Sequence, residues 1–232
     1  MSNFTVPDTR LCSAVPYLKR GGRVIDVGTD HAYLPVYLVR EGIASRALAC
    51  DINRGPIERA RAHIAAAGLS DLIETMQTDG LCGTEGFAPD DIMVFGMGGE
   101  LIVRILSDAE WIKDLRIGLI LQPMTRAHLL RRWLLENGFA ITGESLTFEQ
   151  KYYQTIAARF DPSGVGEPYT EEELLLGRLN IEARSPYLEG FVRHEIAVHE
   201  AILHGKAKSE LADTCEETRI LQFLRKRLEM IV

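Results

Sequence analysis

Over its first two thirds the chain alternates short apolar runs, rich in β-branched residues, with longer stretches of helical periodicity, and that alternation leaves few folds open. The pattern predicts strands at 23–27, 47–52, 73–78, 92–95, 117–121, 139–146 and 152–160. Amphipathic stretches lie between most of them, among them 55–67, 99–106 and 126–137. In the last, Leu129, Leu130, Trp133 and Leu134 recur at helical spacing and Gly138 is a stop signal. Strands separated by helices pair in parallel and are covered by helices on both faces. The last two predicted strands are joined only by the polar break 147–151, too short for a crossover, so they form an antiparallel hairpin at the sheet edge.

Beyond Phe160 the segment 161–168, Asp-Pro-Ser-Gly-Val-Gly-Glu-Pro, reads as a linker. Thr170, followed by Glu171, Glu172 and Glu173, has the form of a capping box. Leu188, Phe191, Val192, Ile196 and Ile202, and then Ile220, Leu221, Leu224, Leu228 and Ile231, recur at spacings of three and four, as in a helical hairpin or coiled coil. The expected organisation is an α/β domain over 1–163 and a helical coiled-coil domain over 164–232, with no internal repeat.

Composition excludes several classes. No apolar run approaches the roughly 18 residues of a membrane-spanning helix, so no membrane partner is expected. The opening MSNFTVPDTRLC lacks the basic and then apolar regions of a secretory signal. Cys12, Cys50, Cys82 and Cys215 include no CxxC pair, which favours reduced thiols in a cytoplasm over a disulfide framework or a metal site. His194-Glu195-Ile196-Ala197-Val198-His199 imitates a zinc-binding HExxH helix with one residue too many, leaving the histidines about 140° apart around the helix. The 26 Lys and Arg against 33 Asp and Glu give a net charge of -7, which on its own argues against affinity for a polyanion. From Gly166 onward there are 9 basic and 13 acidic residues, and before it 17 and 20, so neither part is a basic tail. Arg225-Lys226-Arg227 reads as an exposed helix face, with phosphate contact as its functional alternative.

The chemistry sits in the loops after the strands. The first strand ends in Asp26-Val27-Gly28-Thr29-Asp30-His31-Ala32-Tyr33-Leu34-Pro35. A glycine there lets backbone approach a ligand, and an acid closing the second strand, Asp51, can hold both hydroxyls of a ribose. A pyrophosphate would want a GxGxxG loop; this one has a single glycine and then the charge of Asp30. That combination suits S-adenosyl-L-methionine, which carries a sulfonium, an ammonium and a ribose but no phosphate. Asp79, before Gly80, adds a carboxylate for an adenine amino group, although any one of these acids could serve only as a cap or a solvated loop residue. Gly96-Met97-Gly98-Gly99 follows the fourth strand, where the backbone must turn tightly or lie against a planar ligand. The absence of an Asp/Asn-Pro-Pro-aromatic acceptor run there points to a ring atom with its own lone pair as target, rather than an exocyclic amine.

VIDVGTDHAYLP, the Gly55-Pro56 pair, DGL at 79–81, FGMGGELIVRIL and LILQPM together resemble the bacterial tRNA (adenine-22-N1)-methyltransferase family. The resemblance covers the α/β domain and extends to the helical tail. It implies a class I S-adenosylmethionine-dependent methyltransferase with a Rossmann-like seven-stranded sheet and a C-terminal coiled-coil domain. It further implies methyl transfer from S-adenosyl-L-methionine to N1 of an adenine in tRNA. The cysteine pattern and the misspaced His194 and His199 lead to no expected metal, and no obligate protein partner is expected. The candidate cofactor residues are Asp26, Gly28, Thr29, His31, Tyr33, Leu34, Asp51, Ile52, Asn53, Asp79, Gly80, Leu81 and Gly96. The candidate catalytic set is Asp30, Gly96, Met97, Gly98 and Gln122. Asp30 either accepts the N6 hydrogens of the target adenine or holds the cofactor's ammonium; Gln122 either rims the adenine or shapes its loop. Tyr33 and Tyr153 either stack on the base or pack at the edge. The tRNA surface is expected at Lys19, Arg20, Arg126, Arg131, Arg132, Lys151 and Tyr153, together with the helical tail. A methyltransferase for another RNA, a protein or a small molecule, and a noncatalytic RNA-binding protein, are the alternatives.

Overall fold

The computed structural model describes residues 8–164, 166–206 and 215–231. Residues 1–7, at the start of the opening segment, and Val165, in the predicted linker, lie outside the described residues. The chain divides into two compact units, Met1–Pro168 and Tyr169–Val232. The division falls a few residues beyond the 163/164 boundary drawn from composition.

The first unit holds a seven-stranded sheet made of β1 (Gly22–Val27), β2 (Ala44–Asp51), β3 (Ile73–Gln77), β4 (Asp91–Met97), β5 (Gly118–Pro123), β6 (Phe139–Glu149) and β7 (Lys151–Phe160), in the order β3-β2-β1-β4-β5-β7-β6. The first five strands run parallel and β7 runs antiparallel to both β5 and β6. Side chains alternate across the sheet. Ile92 and Val94 of β4 face one core with Leu119 and Leu121, while Met93 and Phe95 face the other with Ile120. On the first face pack α4 (Gly99–Ser107) and α5 (Ala127–Glu136), through Ile102, Leu106, Leu130 and Leu134. On the second pack α2 (Tyr33–Arg40) and α3 (Arg54–Ala66), through Val36, Leu38, Ala60 and Ile64.

Three departures from the sequence expectations matter. The stretch 147–151 is not a loop: β6 runs to Glu149, β7 starts at Lys151, and Gln150 alone turns the chain, at φ +61°. Thr147, Phe148, Tyr152 and Tyr153 are strand formers, and their pairing outweighs the polar residues among them. The helix Tyr33–Arg40 is not among the stretches singled out from periodicity; Pro35 lies in its first turn, where a missing N–H does no harm. A short helix, α1 (Thr9–Cys12), precedes the first strand, capped by Asp8 through the Leu11 N–H.

In the second unit Thr170 and Glu173 form the predicted capping box at the start of α6 (Glu171–Leu176). α7 (Arg178–Glu182), α8 (Leu188–Lys206) and α9 (Cys215–Ile231) follow. Glu200 pairs with Arg225 and Lys206 with Glu217, so α8 and α9 run in opposite directions. No described helix is long and apolar enough to cross a membrane.

Candidate active site

Five parallel strands bring the ends of β1 to β5 to one edge of the sheet, the edge where open α/β sheets bind ligands. Gly28 sits there at φ +82°, and its N–H and that of Thr29 both donate to the Cys50 carbonyl at 2.8 Å. A Cβ on Gly28 would meet the terminal methyl of Met97, so the first-strand loop and the GMGG turn, far apart in sequence, converge on one spot. Gly96, at φ +77°, forms a bulge where β4 shifts register against β5, and it turns Met97 toward Gly28. Gly98 and Gly99 lie against Thr125 and Arg126, and the Gly99 N–H donates to the Thr125 carbonyl at 2.9 Å.

The acids divide into two kinds. Asp26 is buried under the sheet edge, and burial raises its carboxyl to about 6; the Thr29 hydroxyl and the Arg10 charge offset part of that rise, and Asp51 adds to it. Asp51 is half-buried, with one oxygen accepting the Asn53 N–H at 2.6 Å. Asp30 and Asp79 are exposed and each is already gripped by an arginine. Arg59 of α3 holds Asp30, whose other oxygen lies 3.5 Å from His31 Nε2. Arg104 of α4 forks onto Asp79 at 2.9 and 3.1 Å, and this hydrogen-bonded pair keeps the Asp79 carboxyl below its usual value. Beside Asp79 a cavity of about 420 Å³ is lined by Leu81, Cys82, Arg104, Ile105 and Trp111. His31 also stacks on Tyr33, and its carbonyl bonds His63 Nδ1 at 2.7 Å. Leu34 is buried, and Gly80 packs on Ile105. Ile52 and Asn53 lie exposed just past β2.

Gln122 is completely buried. Its amide donates to the Arg10 carbonyl, Ser13 Oγ and Thr155 Oγ1 at 3.1 to 3.2 Å, so it ties α1 to β5 and β7 instead of presenting an edge to a base. Because β7 is antiparallel, its first residues reach the same edge as the ends of β4 and β5. Tyr153 lies there, half-buried, with the Arg10 guanidinium 5.5 Å and the Lys151 ammonium 5.3 Å from its ring centroid. No sequence signal marks Arg10: it belongs to no motif and reaches the site only through the folding of α1.

Three of the expected RNA contacts are corrected. Arg131 is wholly buried and bonds Glu144 and Gln154, because the inner face of α5 packs on the hairpin. Lys19 and Arg20 precede β1 and so lie at the opposite end of the sheet from the site, with Lys19 paired to Asp90. Arg126, paired to Glu100, and Lys151 are exposed at the ligand edge, and Arg132 is half-buried on α5. No group of His, Cys, Asp and Glu able to hold a metal occurs among the described residues.

The strand order, the antiparallel seventh strand, the tight glycine after β1 and the acid closing β2 define a class I S-adenosylmethionine-dependent methyltransferase. A family model described as a methyltransferase domain matches residues 8–156. The tRNA (adenine(22)-N(1))-methyltransferase of Bacillus subtilis is 32% identical over 96% of this chain and 94% of its own length. A Streptococcus pneumoniae protein, Sp1610, solved in complex with S-adenosyl-L-methionine, is 28% identical with TM-score 0.83, covering 95% of this chain and 99% of its own. Mycoplasma capricolum TrmK, solved with S-adenosyl-homocysteine, is 25% identical with TM-score 0.81, covering 98% of this chain and all of its own. The chain belongs to the tRNA (adenine(22)-N(1))-methyltransferase family.

Proposed function

We infer that this protein transfers a methyl group from S-adenosyl-L-methionine to N1 of adenine 22 in tRNA. The observation that carries the inference is the end-to-end similarity to the Bacillus subtilis enzyme, across both units. The residues at the sheet edge fit the cofactor. Gly28 brings bare backbone past the end of β1 against the Met97 methyl, Asp51 is a half-buried acid at the ribose position, and Asp26 is a buried carboxyl, reached by the charge of Arg10, that suits an ammonium. When bound, S-adenosyl-L-methionine supplies an electrophilic methyl group.

N1 of adenine is occupied in a stacked pair, so the base must be extruded or caught unpaired. Its own lone pair attacks, and no residue is needed to remove a proton first. The ring becomes cationic as the bond forms, and Asp30 accepts the N6 hydrogens, with Arg59 and His31 keeping its carboxylate at the edge. Met97, Gly96 and Gly98 form the floor against which the base lies. Gly80, Leu81, Ile52, Asn53, Thr29, His31, Tyr33 and Leu34 shape the cofactor cleft, with Asp79 toward its adenine. Arg126, Arg132, Lys151 and Tyr153 form the tRNA rim. The second unit's α8 and α9 act as an antiparallel coiled coil that takes part in tRNA binding, a reading supported by buried Leu221 and Leu224 and the ion pairs linking the two helices. The reaction belongs to the cytoplasm, in keeping with four cysteines of which none forms a disulfide.

Transcribed tRNA carrying adenine or guanine at position 22, with labelled S-adenosyl-L-methionine, tests the reading. Label is expected in the adenine transcript alone, mapped to that nucleotide. Equal labelling of the guanine transcript overturns the assignment.

A further inference from the structure

Arg10 is the strongest feature of the site that the reaction as described does not use. Its helix is stitched in place by backbone and hydroxyl contacts: Gln122 donates to the Arg10 carbonyl, and Ser13 Oγ lies 2.7 Å from Thr155 Oγ1. The guanidinium is carried to Gly96, within 3.9 Å of where a Cβ would stand. Its side chain is only 22% exposed, yet among the described residues its polar partners are one long bond to Gln122 Oε1 at 3.4 Å and an approach to Asp8 at 3.7 Å. A guanidinium presents five N–H donors in a flat fork, and withdrawing it from water is unfavourable unless an anion meets it. Lys151 adds a second cation on the same tyrosine ring, and the acids near Arg10, Asp8 at 3.7 Å and buried Asp26, which its charge reaches, make no close hydrogen bond to the guanidinium.

Gly96 and Gln122 end β4 and β5, on the far side of β1 from Asp51. The ribose-reading acid and the cation thus lie to opposite sides of the glycine loop. An extruded nucleotide carries a phosphodiester on each side of its sugar, and the planar fork of arginine matches two phosphate oxygens at once. We propose that Arg10 binds an RNA phosphodiester beside the extruded adenosine, holding the nucleotide against the Gly96 turn with Tyr153 behind the guanidinium. The proposal rests on the tRNA reading above. The cofactor's carboxylate offers related oxyanion chemistry, and the test separates the two.

Arg10→Gln and Arg10→Lys are compared with the unaltered protein in tRNA binding across 50 to 200 mM salt, in S-adenosyl-L-methionine binding by calorimetry, and in methylation. Arg10→Gln, which keeps a shorter polar side chain without the charge, is expected to weaken tRNA binding about 10-fold and to lower the slope of log affinity against log salt by about one contact, 0.7 to 0.9. Cofactor affinity should stay within about 2-fold, and Arg10→Lys should restore the slope. Thermal melting checks that both variants fold; should Arg10→Gln fail, Arg10→Met takes its place. A drop in cofactor affinity with an unchanged salt slope assigns Arg10 to the carboxylate and overturns the proposal, as does no change in either. Failure of the unaltered protein to methylate tRNA overturns instead the reading on which the proposal rests.

Discussion

Burial holds the carboxyl of Asp26 at about 6, so the folded protein keeps a proton there that the unfolded chain has released by about pH 4. The stabilisation from that proton is complete below the ordinary carboxylate value and is lost as pH rises through about 6. Its full size is about 3 kcal/mol, with roughly half acting between pH 5 and 8. Asp26→Asn is expected to flatten that part of the curve of urea-unfolding stability against pH; an unchanged curve would mean that Asp26 is charged throughout. An ammonium seated beside it favours the charged form, so cofactor affinity should rise as pH increases from 5 to 7, and this rise should vanish in the same variant. Asp30, Asp51 and Asp79 were visible in the sequence because each follows a strand. Arg59 and Arg104, which neutralise two of them, were not, because their reach depends on where helices 29 and 25 residues away dock.

The hairpin of β6 and β7 shows what element-level pattern can and cannot carry. Alternation located both strands and their antiparallel pairing, but the one-residue turn at Gln150 hid behind the polar letters around it. The same hairpin explains Arg131, whose helical position was read correctly and whose face was not. Arginine in an amphipathic helix is usually exposed, and Glu144 and Gln154, brought together across the hairpin, help make its burial tolerable. Arg131→Met removes the guanidinium paired with the buried Glu144 carboxylate, so it should lower stability by about 3 to 5 kcal/mol, read from the midpoint of denaturant unfolding. Arg131→Met with Glu144→Leu should regain most of that loss. If the single and double variants unfold alike, the pair does not hold α5 to the hairpin. The bounds of the short helices at Thr9–Cys12 and Tyr33–Arg40 were not legible for a simpler reason: too few residues repeat at helical spacing to rise above the loop signals beside them.

At the scale of the whole molecule, a net charge of -7 is compatible with a polyanionic substrate because the cations of the ligand edge are local and several acids are tied to arginines. With about four phosphate contacts, tRNA affinity should fall about 100-fold between 50 and 200 mM salt. Position on the sheet makes the expectation sharper. Lys19→Gln with Arg20→Gln, at the far end from the site, should leave tRNA binding unchanged, whereas Arg126→Gln with Lys151→Gln should weaken it; filter binding giving the reverse order would place the RNA on the wrong end. The contact of Gly99 with the Thr125 and Arg126 carbonyls has a consequence for motion. With backbone on backbone and the Gly99 amide hydrogen-bonded across the gap, the turn after β4 and the loop after β5 can only shift together. Whatever lets a nucleotide in must leave these two as one block, and their amides should exchange with solvent in step.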